Sequence, residues 1–350
     1  MGLIGRAARG TSSDRAEAAT MIRPEDAQLH EPTTDDPLWG ETNYFGFYLP
    51  EPAMNIGVYT LWRTNTGVIN TNVSVNSQRV QAPWEADYWD AWAQVAIPQE
   101  RSLLDYSLPN GLHVVCHEPN AVWDIRYEAG PARLDVRCTA LMEPFDINDP
   151  EQDPLTAAAQ QGEGFTWGHA YAGHFDMTAR FTGELTLRGT THQIDCVSTM
   201  DHSWGVRQER QSSVMSWMHA HFSEDLAVHG IFSFDPQLGS NAETPLSLSH
   251  GYVMDHGKVL GLTAGSGTSR RAKFYPEEIT IQVTDETGRT LDLVGQAQTT
   301  FPWQAWPGTV GHNVLARWSS PQLPGQTGWG ESMDFIGLEE LTGLYARERS

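Results

Sequence analysis

The sequence predicts an all-β chain made of two strand-rich halves, each a barrel or sandwich. Three observations point there. Short apolar-alternating runs recur at roughly 8–12-residue spacing, turn dipeptides separate them, and helical periodicity is nearly absent. The runs before the middle of the chain are Ile56–Trp62, Gly67–Val75, Leu112–His117, Val122–Glu128 and Arg133–Ala140. Those after it include His174–Phe181, Glu184–Leu187, His192–Ser198, Met215–Phe222, Leu226–Phe234, Gly251–Met254, Ile279–Val283, Thr290–Leu293 and Val314–Trp318. Turn signals stand between them at Pro109–Asn110–Gly111, Gly130–Pro131, Thr182–Gly183, Arg188–Gly189, Asp255–His256–Gly257 and Glu286–Thr287–Gly288. Gly, Pro and Asn there supply the backbone angles that hairpins need. Pro83–Gln94 and Leu338–Arg347 are the two stretches expected to be helical.

Residues 1–37 lack an apolar period and are expected to form a flexible arm, with Met21 as an alternative start. The acidic, proline-containing stretch Asp146–Gly164 has no periodicity, which sets the expected division there. The expected domains are therefore 38–160 and 165–345.

Composition limits the function. With 22 Lys and Arg against 44 Asp and Glu, the net charge is −22, which excludes a phosphate-backbone partner. The same charge disfavours anionic lipid, and no apolar run approaches membrane-spanning length. Three cysteines in no paired spacing and no signal-type apolar stretch lead to an expected cytoplasmic location without disulfides. The 13 Trp outnumber both Phe and Tyr; large apolar bodies with one N–H donor suit sheet cores and the walls of a pocket for a bulky hydrophobic ligand. Nothing fixes the oligomeric state.

The densest polar cluster is Met200–Asp201–His202–Ser203–Trp204–Gly205–Val206–Arg207. A carboxylate, an imidazole and a guanidinium beside an apolar strand are costly unless paired or used. Strand alternation sends Asp201 and Ser203 to one face and His202 and Trp204 to the other. The cluster reads either as a proton donor aimed into a pocket or as an Asp–Arg pair pinning a turn. The second cluster, Trp217 to Phe222, places Trp217, His219 and His221 on one face, the wall of a partly polar cavity, and Met218, Ala220 and Phe222 on the other as core. His219-x-His221 followed by Glu224 approximates a cupin metal motif, but the gap is one residue short and the upstream Gly is missing, so no metal or other cofactor is expected. Tyr44 and Glu331 are further polar candidates at the first and last strands. No nucleophile elbow, P-loop or dinucleotide fingerprint is present.

Asp201–His202–Ser203–Trp204–Gly205 resembles the Asp-His/Arg-x-Trp-Gly element of lipocalin-like proteins of the hydroxyneurosporene synthase (carotenoid 1,2-hydratase) and AttH group. It is most similar to a branch whose hallmark is Asp-His-Ser-Trp-Gly-x-Arg. Trp39–Phe47, His174, Gly183–Leu187, Thr190–Asp195, His250–Val253 and Gly328–Glu331 stand where that branch has its other landmarks. Val206–Arg207–Gln208 departs from the Pro-Arg-Asp of the branch but keeps the Arg. The resemblance implies two lipocalin-like β domains side by side with a ligand cavity near their junction.

It also implies hydro-lyase chemistry, hydration or dehydration of a terpenoid-, steroid- or polyene-like molecule. Asp201, His202 and His219 are the candidate catalytic residues. Trp204, Arg207, Trp217, His221, Tyr44 and Glu331 are the candidate binding residues. Asp201 would be the acid unless Arg207 pairs with it, in which case His202 or His219 takes that role. The alternatives are an isomerase or pericyclase, a non-catalytic carrier of a hydrophobic metabolite and, last, a cupin-type metal oxygenase.

Overall fold

The computed structural model describes residues 22–160, 172–207 and 214–350. One sheet takes β1 (Trp39–Pro50), β2 (Ala53–Arg63), β3 (Val68–Asn76), β4 (Tyr88–Ala96), β5 (Asp105–Ser107), β6 (Leu112–Glu118), β7 (Val122–Ala129), β8 (Ala132–Ala140), β9 (Phe145–Asp146), β10 (Gly173–Leu187) and β11 (Thr190–Val206). Their spatial order is β4-β3-β2-β1-β11-β10-β8-β7-β6-β5, with β9 paired to β10. The other sheet takes β12 (Met215–Ser223), β13 (Leu226–Ser233), β14 (Glu243–Asp255), β15 (Lys258–Ala272), β16 (Tyr275–Asp285), β17 (Thr290–Ala297), β18 (Phe301–Trp306), β19 (Thr309–Ser319) and β20 (Gly328–Gly337). Pairing of β17 with β19 closes eight of these strands into a barrel, and β18 extends from β19 outside the ring. The lipocalin-like, all-β expectation is met: a curled half-barrel lies beside a closed barrel.

The first sheet curls because its central and terminal strands share one apolar face. Phe45 of β1 meets Trp123 of β7, and Trp62 of β2 meets Tyr106 of β5, across the inside of the curl. The opposite face of β1, β2, β10 and β11 packs on the outside of the barrel, where Met215, Trp217, Met333 and Phe335 join the same core cluster as Phe45 and Phe181. The barrel interior holds a second cluster containing Met218, Ala220, Leu293 and Trp318. Met218 and Ala220 thus point into the barrel and Trp217 points at the half-barrel, the alternation expected for that strand.

Four sequence expectations are corrected. Pro83–Gln94 is not a helix: Pro83–Glu85 makes one 3-10 turn, and Tyr88–Ala96 is an edge strand paired to β3. Its aromatic and β-branched residues, Tyr88, Trp89, Trp92 and Val95, favour that pleated edge. Leu338–Glu348 does form a helix, α2. Thr182–Gly183 is not a turn, because β10 runs straight through it; a Cβ on Gly183 would lie 2.1 Å from the Asp135 carbonyl oxygen, so glycine permits the close β8–β10 approach.

The change of sheet also falls later than the acidic stretch, between Val206 and Met215, since β10 and β11 hydrogen-bond into the half-barrel. The acidic stretch instead carries a short helix, α1 (Pro154–Gln160), held to the barrel by the Asp153–His250 contact. Gly164 and the last residues of that stretch lie outside the described residues. Of the expected arm, 1–21 and with them Met21 also lie outside. Residues 22–37 are packed: Ala27 is buried, and His30 stacks on Trp204 with ring centroids 3.8 Å apart.

Candidate functional site

The site grows from the register of the half-barrel. Directly opposed residues on antiparallel strands share a face. Register therefore aligns Thr42, Ser203 and His174 in one row across β1, β11 and β10, and Tyr59, Tyr44, Asp201 and Asp176 in the next. Both rows face the barrel. Thr42, Tyr59, His174, Asp201 and Ser203 line one side of a cavity of about 50 Å³, and Met215, Trp217, Trp303, Trp306, Met333 and Phe335 close it from the barrel side. A water needs about 10–15 Å³ of such space, so the cavity accommodates a few waters or the small end of a larger molecule.

Asp201 makes no side-chain hydrogen bond or ion pair among the described residues, and it lines the cavity. Burial is the largest influence on its carboxyl and, with Asp176 and Glu331 nearby, raises its pKa to about 7 against the pull of His174 and Arg207. The Asp201–Arg207 pair, one of the two readings of this cluster, is not formed. Arg207 instead donates to the Ser203 carbonyl and hydroxyl at 2.8 and 3.0 Å and lies over the Trp306 ring at 5.8 Å.

Asp176 is the opposite case. Its Oδ2 faces His174 Nε2 at 2.9 Å and His229 Nε2 at 3.0 Å, and its Oδ1 accepts the Trp217 indole N–H at 3.1 Å. Burial would raise its pKa, but His229 and His174 hold it well below the ordinary range. For His174, burial lowers the pKa and the Asp176 carboxylate more than reverses that, leaving it raised. The cavity thus sees a carboxyl whose pKa burial raises to about 7 beside an imidazole whose pKa the Asp176 carboxylate raises.

The other candidates sort by face. His202 and Trp204 point into the curl, away from the cavity. His202 contacts Glu41 at 3.1 Å and Asn43 at 2.9 Å, and Trp204 stacks on His30. The alternation thus separates His202 from Asp201 as the sequence predicts, and His202, a candidate catalytic residue, does not line the cavity. His219 lies on the junction face but behind Trp217, whose ring it meets at 4.1 Å, and it does not line the cavity. Burial and the neighbouring His229 and His221 keep it neutral, with its pKa well below the usual value. His221 stacks beyond it, and burial brings its pKa down to about 3.

Tyr44 and Glu331 join the two sheets rather than line the cavity. Glu331 Oε2 accepts the Tyr44 hydroxyl at 2.7 Å, and Oε1 accepts Asn55 at 2.7 Å and Asn313 at 2.8 Å.

The cupin-type grouping does not form, because Glu224 pairs on the surface with Arg180 at 2.7 Å. Two other groups, His30–Glu41–His202 and Asp176–His219–His229, bring potential ligand atoms within 4.8 Å of one another. Both are spanned by carboxylate–imidazole contacts.

Asp176, Tyr59, Trp303 and Trp306 are cavity or supporting residues that sequence reasoning missed. His174-x-Asp176 carried a usable signal, since period two places both on one face. Tyr59 and Trp306, whose indole donates to the Tyr59 hydroxyl at 3.0 Å, meet only through tertiary packing.

No helix among the described residues is long and apolar enough to cross a membrane. The fold resembles kievitone hydratase from Nectria haematococca, with TM-score 0.51 and 11% identity over 91% of this chain and 93% of that one. It also resembles a putative AttH from Nitrosomonas europaea, with TM-score 0.56 and 12% identity over 91% and 97%. No curated protein matches the sequence. Across residues 23–335, which include both sheets and every cavity residue, the chain belongs to the family described as a domain of unknown function, DUF7064.

Proposed function

We propose that the chain is a hydro-lyase that adds water to, or removes it from, an apolar alkene or tertiary alcohol at the junction cavity, with Asp201 as the acid. The observation that carries this reading is a cavity-lining carboxyl that makes no side-chain hydrogen bond or ion pair among the described residues, with burial raising its pKa to about 7. Enzymes that protonate carbon or a leaving hydroxyl near neutral pH need such a raised carboxylic acid. In hydration, the Asp201 proton passes to one alkene carbon and water bonds to the other. The proton released by that water restores Asp201. Cationic charge at carbon would be stabilised by the faces of Trp217, Trp303 and Trp306, and exclusion of bulk water limits side reactions. The fold shared with kievitone hydratase supports hydratase-type chemistry. Terpenoid, steroid and polyene alkenes are the substrate classes carried over from the resemblance to the carotenoid hydratase group.

The test is incubation with kievitone and with terpenoid, steroid and polyene alkenes in heavy-oxygen water, read by mass spectrometry. Label incorporation that Asp201→Asn abolishes while ligand binding persists supports the reading. Incorporation unchanged in Asp201→Asn contradicts it. A specific observation favours a second reading, a pericyclase or isomerase: six of the eleven cavity residues are aromatic or Met side chains on the barrel side that could simply hold a reactive conformer. That reading predicts rearranged product without label, formed at nearly the full rate by Asp201→Asn.

A further inference from the structure

On the face of β11 turned away from the cavity, two imidazoles converge on one buried carboxylate. Glu41 Oε1 lies 2.7 Å from His30 Nδ1 and 3.1 Å from His202 Nε2. We propose that His30, Glu41 and His202 hold a divalent first-row transition ion that ties the N-terminal segment to the curled sheet. The hydro-lyase reading uses none of these side chains, and Asp201 faces the cavity on the other side of the strand. The two proposals therefore stand or fall separately.

The donor set gives the first observation. Two imidazoles and a carboxylate suit such ions, whereas magnesium and calcium prefer oxygen ligands alone. The three potential ligand atoms all lie within 4.8 Å of one another. Neighbouring ligands bound at about 2.1 Å to one ion stand about 3 Å apart. Both contacts with Glu41 are already close to that spacing.

The second observation is an orphaned nitrogen. His202 is fully buried, and its Nδ1 donates to Asn43 Oδ1 at 2.9 Å. Its Nε2 makes no hydrogen bond among the described residues, although the Glu41 oxygen is 3.1 Å away. An N–H on Nε2 would not be aligned with that oxygen, and a bare lone pair there would turn toward negative charge. An ion between them removes both difficulties. Metal-bound imidazoles donate their other ring N–H to an oxygen that fixes the tautomer, and Asn43 supplies one.

The surroundings give the third. Glu41 Oε2 accepts the His30 backbone N–H at 2.9 Å, and His30 is held by Asp26 at 3.3 Å and by its stack on Trp204. The ligands are thus oriented by the chain itself. The His30 side chain is 21% exposed while those of Glu41 and His202 are fully buried, which leaves an ion one way in and room for a water ligand. The site also accounts for the packing of residues 22–37, a stretch without apolar period. Its ligands come from distant parts of the chain, so no motif spacing announces them.

The experiment uses the full chain without an affinity tag. After chelator treatment it is titrated with Zn²⁺ by calorimetry and with Co²⁺ by visible absorption, with Mg²⁺ as the hard-cation control. One Zn²⁺ per chain should bind with Kd of about 1 µM or tighter, Co²⁺ should develop d–d bands, and Mg²⁺ should not compete. His30→Ala truncates a partly exposed side chain and should weaken Zn²⁺ binding about 100-fold, as should Glu41→Gln. Asn43→Ala should weaken it about ten-fold, and His256→Ala, which removes an exposed imidazole, should leave it unchanged. Bound Zn²⁺ should slow proteolysis within residues 22–37 of the parent chain and not of His30→Ala. The absence of a site that tight, or a site that survives both His30→Ala and Glu41→Gln, overturns the proposal.

Discussion

Asp176 and Asp201 sit directly across from each other on β10 and β11, yet their carboxyl groups are driven in opposite directions. Two imidazoles and an indole satisfy Asp176 and hold it ionised. Asp201 has no such partner among the described residues and borders the cavity, and burial together with the charged Asp176 raises its pKa to about 7. Such divergence between close carboxyls is how one site obtains both a fixed anion and a usable acid.

The pH dependence of turnover follows. Asp201 is active as the acid, so kcat should fall as pH rises through about 7. Asp201→Asn should lower kcat by about 10²-fold or more with little change in ligand Kd. A pH–rate profile and direct binding measurements check both.

The same shift carries a stability consequence. A group whose folded pKa lies above its unfolded value contributes stability that is full below the unfolded value and lost as pH rises through the folded one. For Asp201 that window runs from about 3.8 to about 7. Asp201→Asn should therefore raise Tm relative to the parent chain above that window and have a smaller effect near its acid end. A Tm series against pH checks the sign.

Asp176 should behave in reverse. Its lowered pKa contributes stability present above the ordinary carboxylate value and lost as pH falls through its own. Asp176→Asn strands His174 and His229 beside a neutral amide, and breaking such a buried pair costs about 3–5 kcal/mol. Denaturant unfolding measures the loss, and imidazole NMR should show His174 titrating lower than in the parent chain.

Glu331 fastens the sheets through three donors, from β1, β2 and β19. Glu331→Ala leaves Tyr44, Asn55 and Asn313 without an acceptor, at about 1–3 kcal/mol for each buried group. Glu331→Gln retains an acceptor for both amides and places its NH₂ against the Tyr44 oxygen, so its cost should be much smaller. Unfolding of the two variants separates hydrogen bonding from charge.

Much of this was legible in the sequence, and its limits are physical. Period-two alternation correctly parted Asp201 and Ser203 from His202 and Trp204, and Trp217 from Met218, because β11 and β12 are regular there. Alternation assigns residues to faces but does not say what each face meets. Both faces of β11 are buried, one in the curl and one against the barrel, so His202 and Asp201 looked equally suited to a pocket. The cavity neighbours of Asp201 include residues of β2, β10 and β18, whose apposition depends on how the half-barrel curls. The stretch near Pro83 misled because a proline turn followed by aromatics fits a helix start and an edge strand equally. The acidic stretch misled because its composition marks a connection packed on the barrel rather than the change of sheet.

The two faces of β11 also make separable predictions. His202→Gln disturbs the contacts with Glu41 and Asn43 and should cost stability, yet it lies on the far side of the sheet from the cavity. Its chemical step, measured by single turnover, should stay within a few-fold of the parent chain, in contrast to Asp201→Asn.

The most direct measurement is the titration of the Asp201 carboxyl itself, followed by carbon-13 NMR with Asp201→Asn as the assignment control. A midpoint near 7 is the expected result. A midpoint at the ordinary value of 3.8 would mean that Asp201 is a permanent anion at neutral pH and is not the acid of this site.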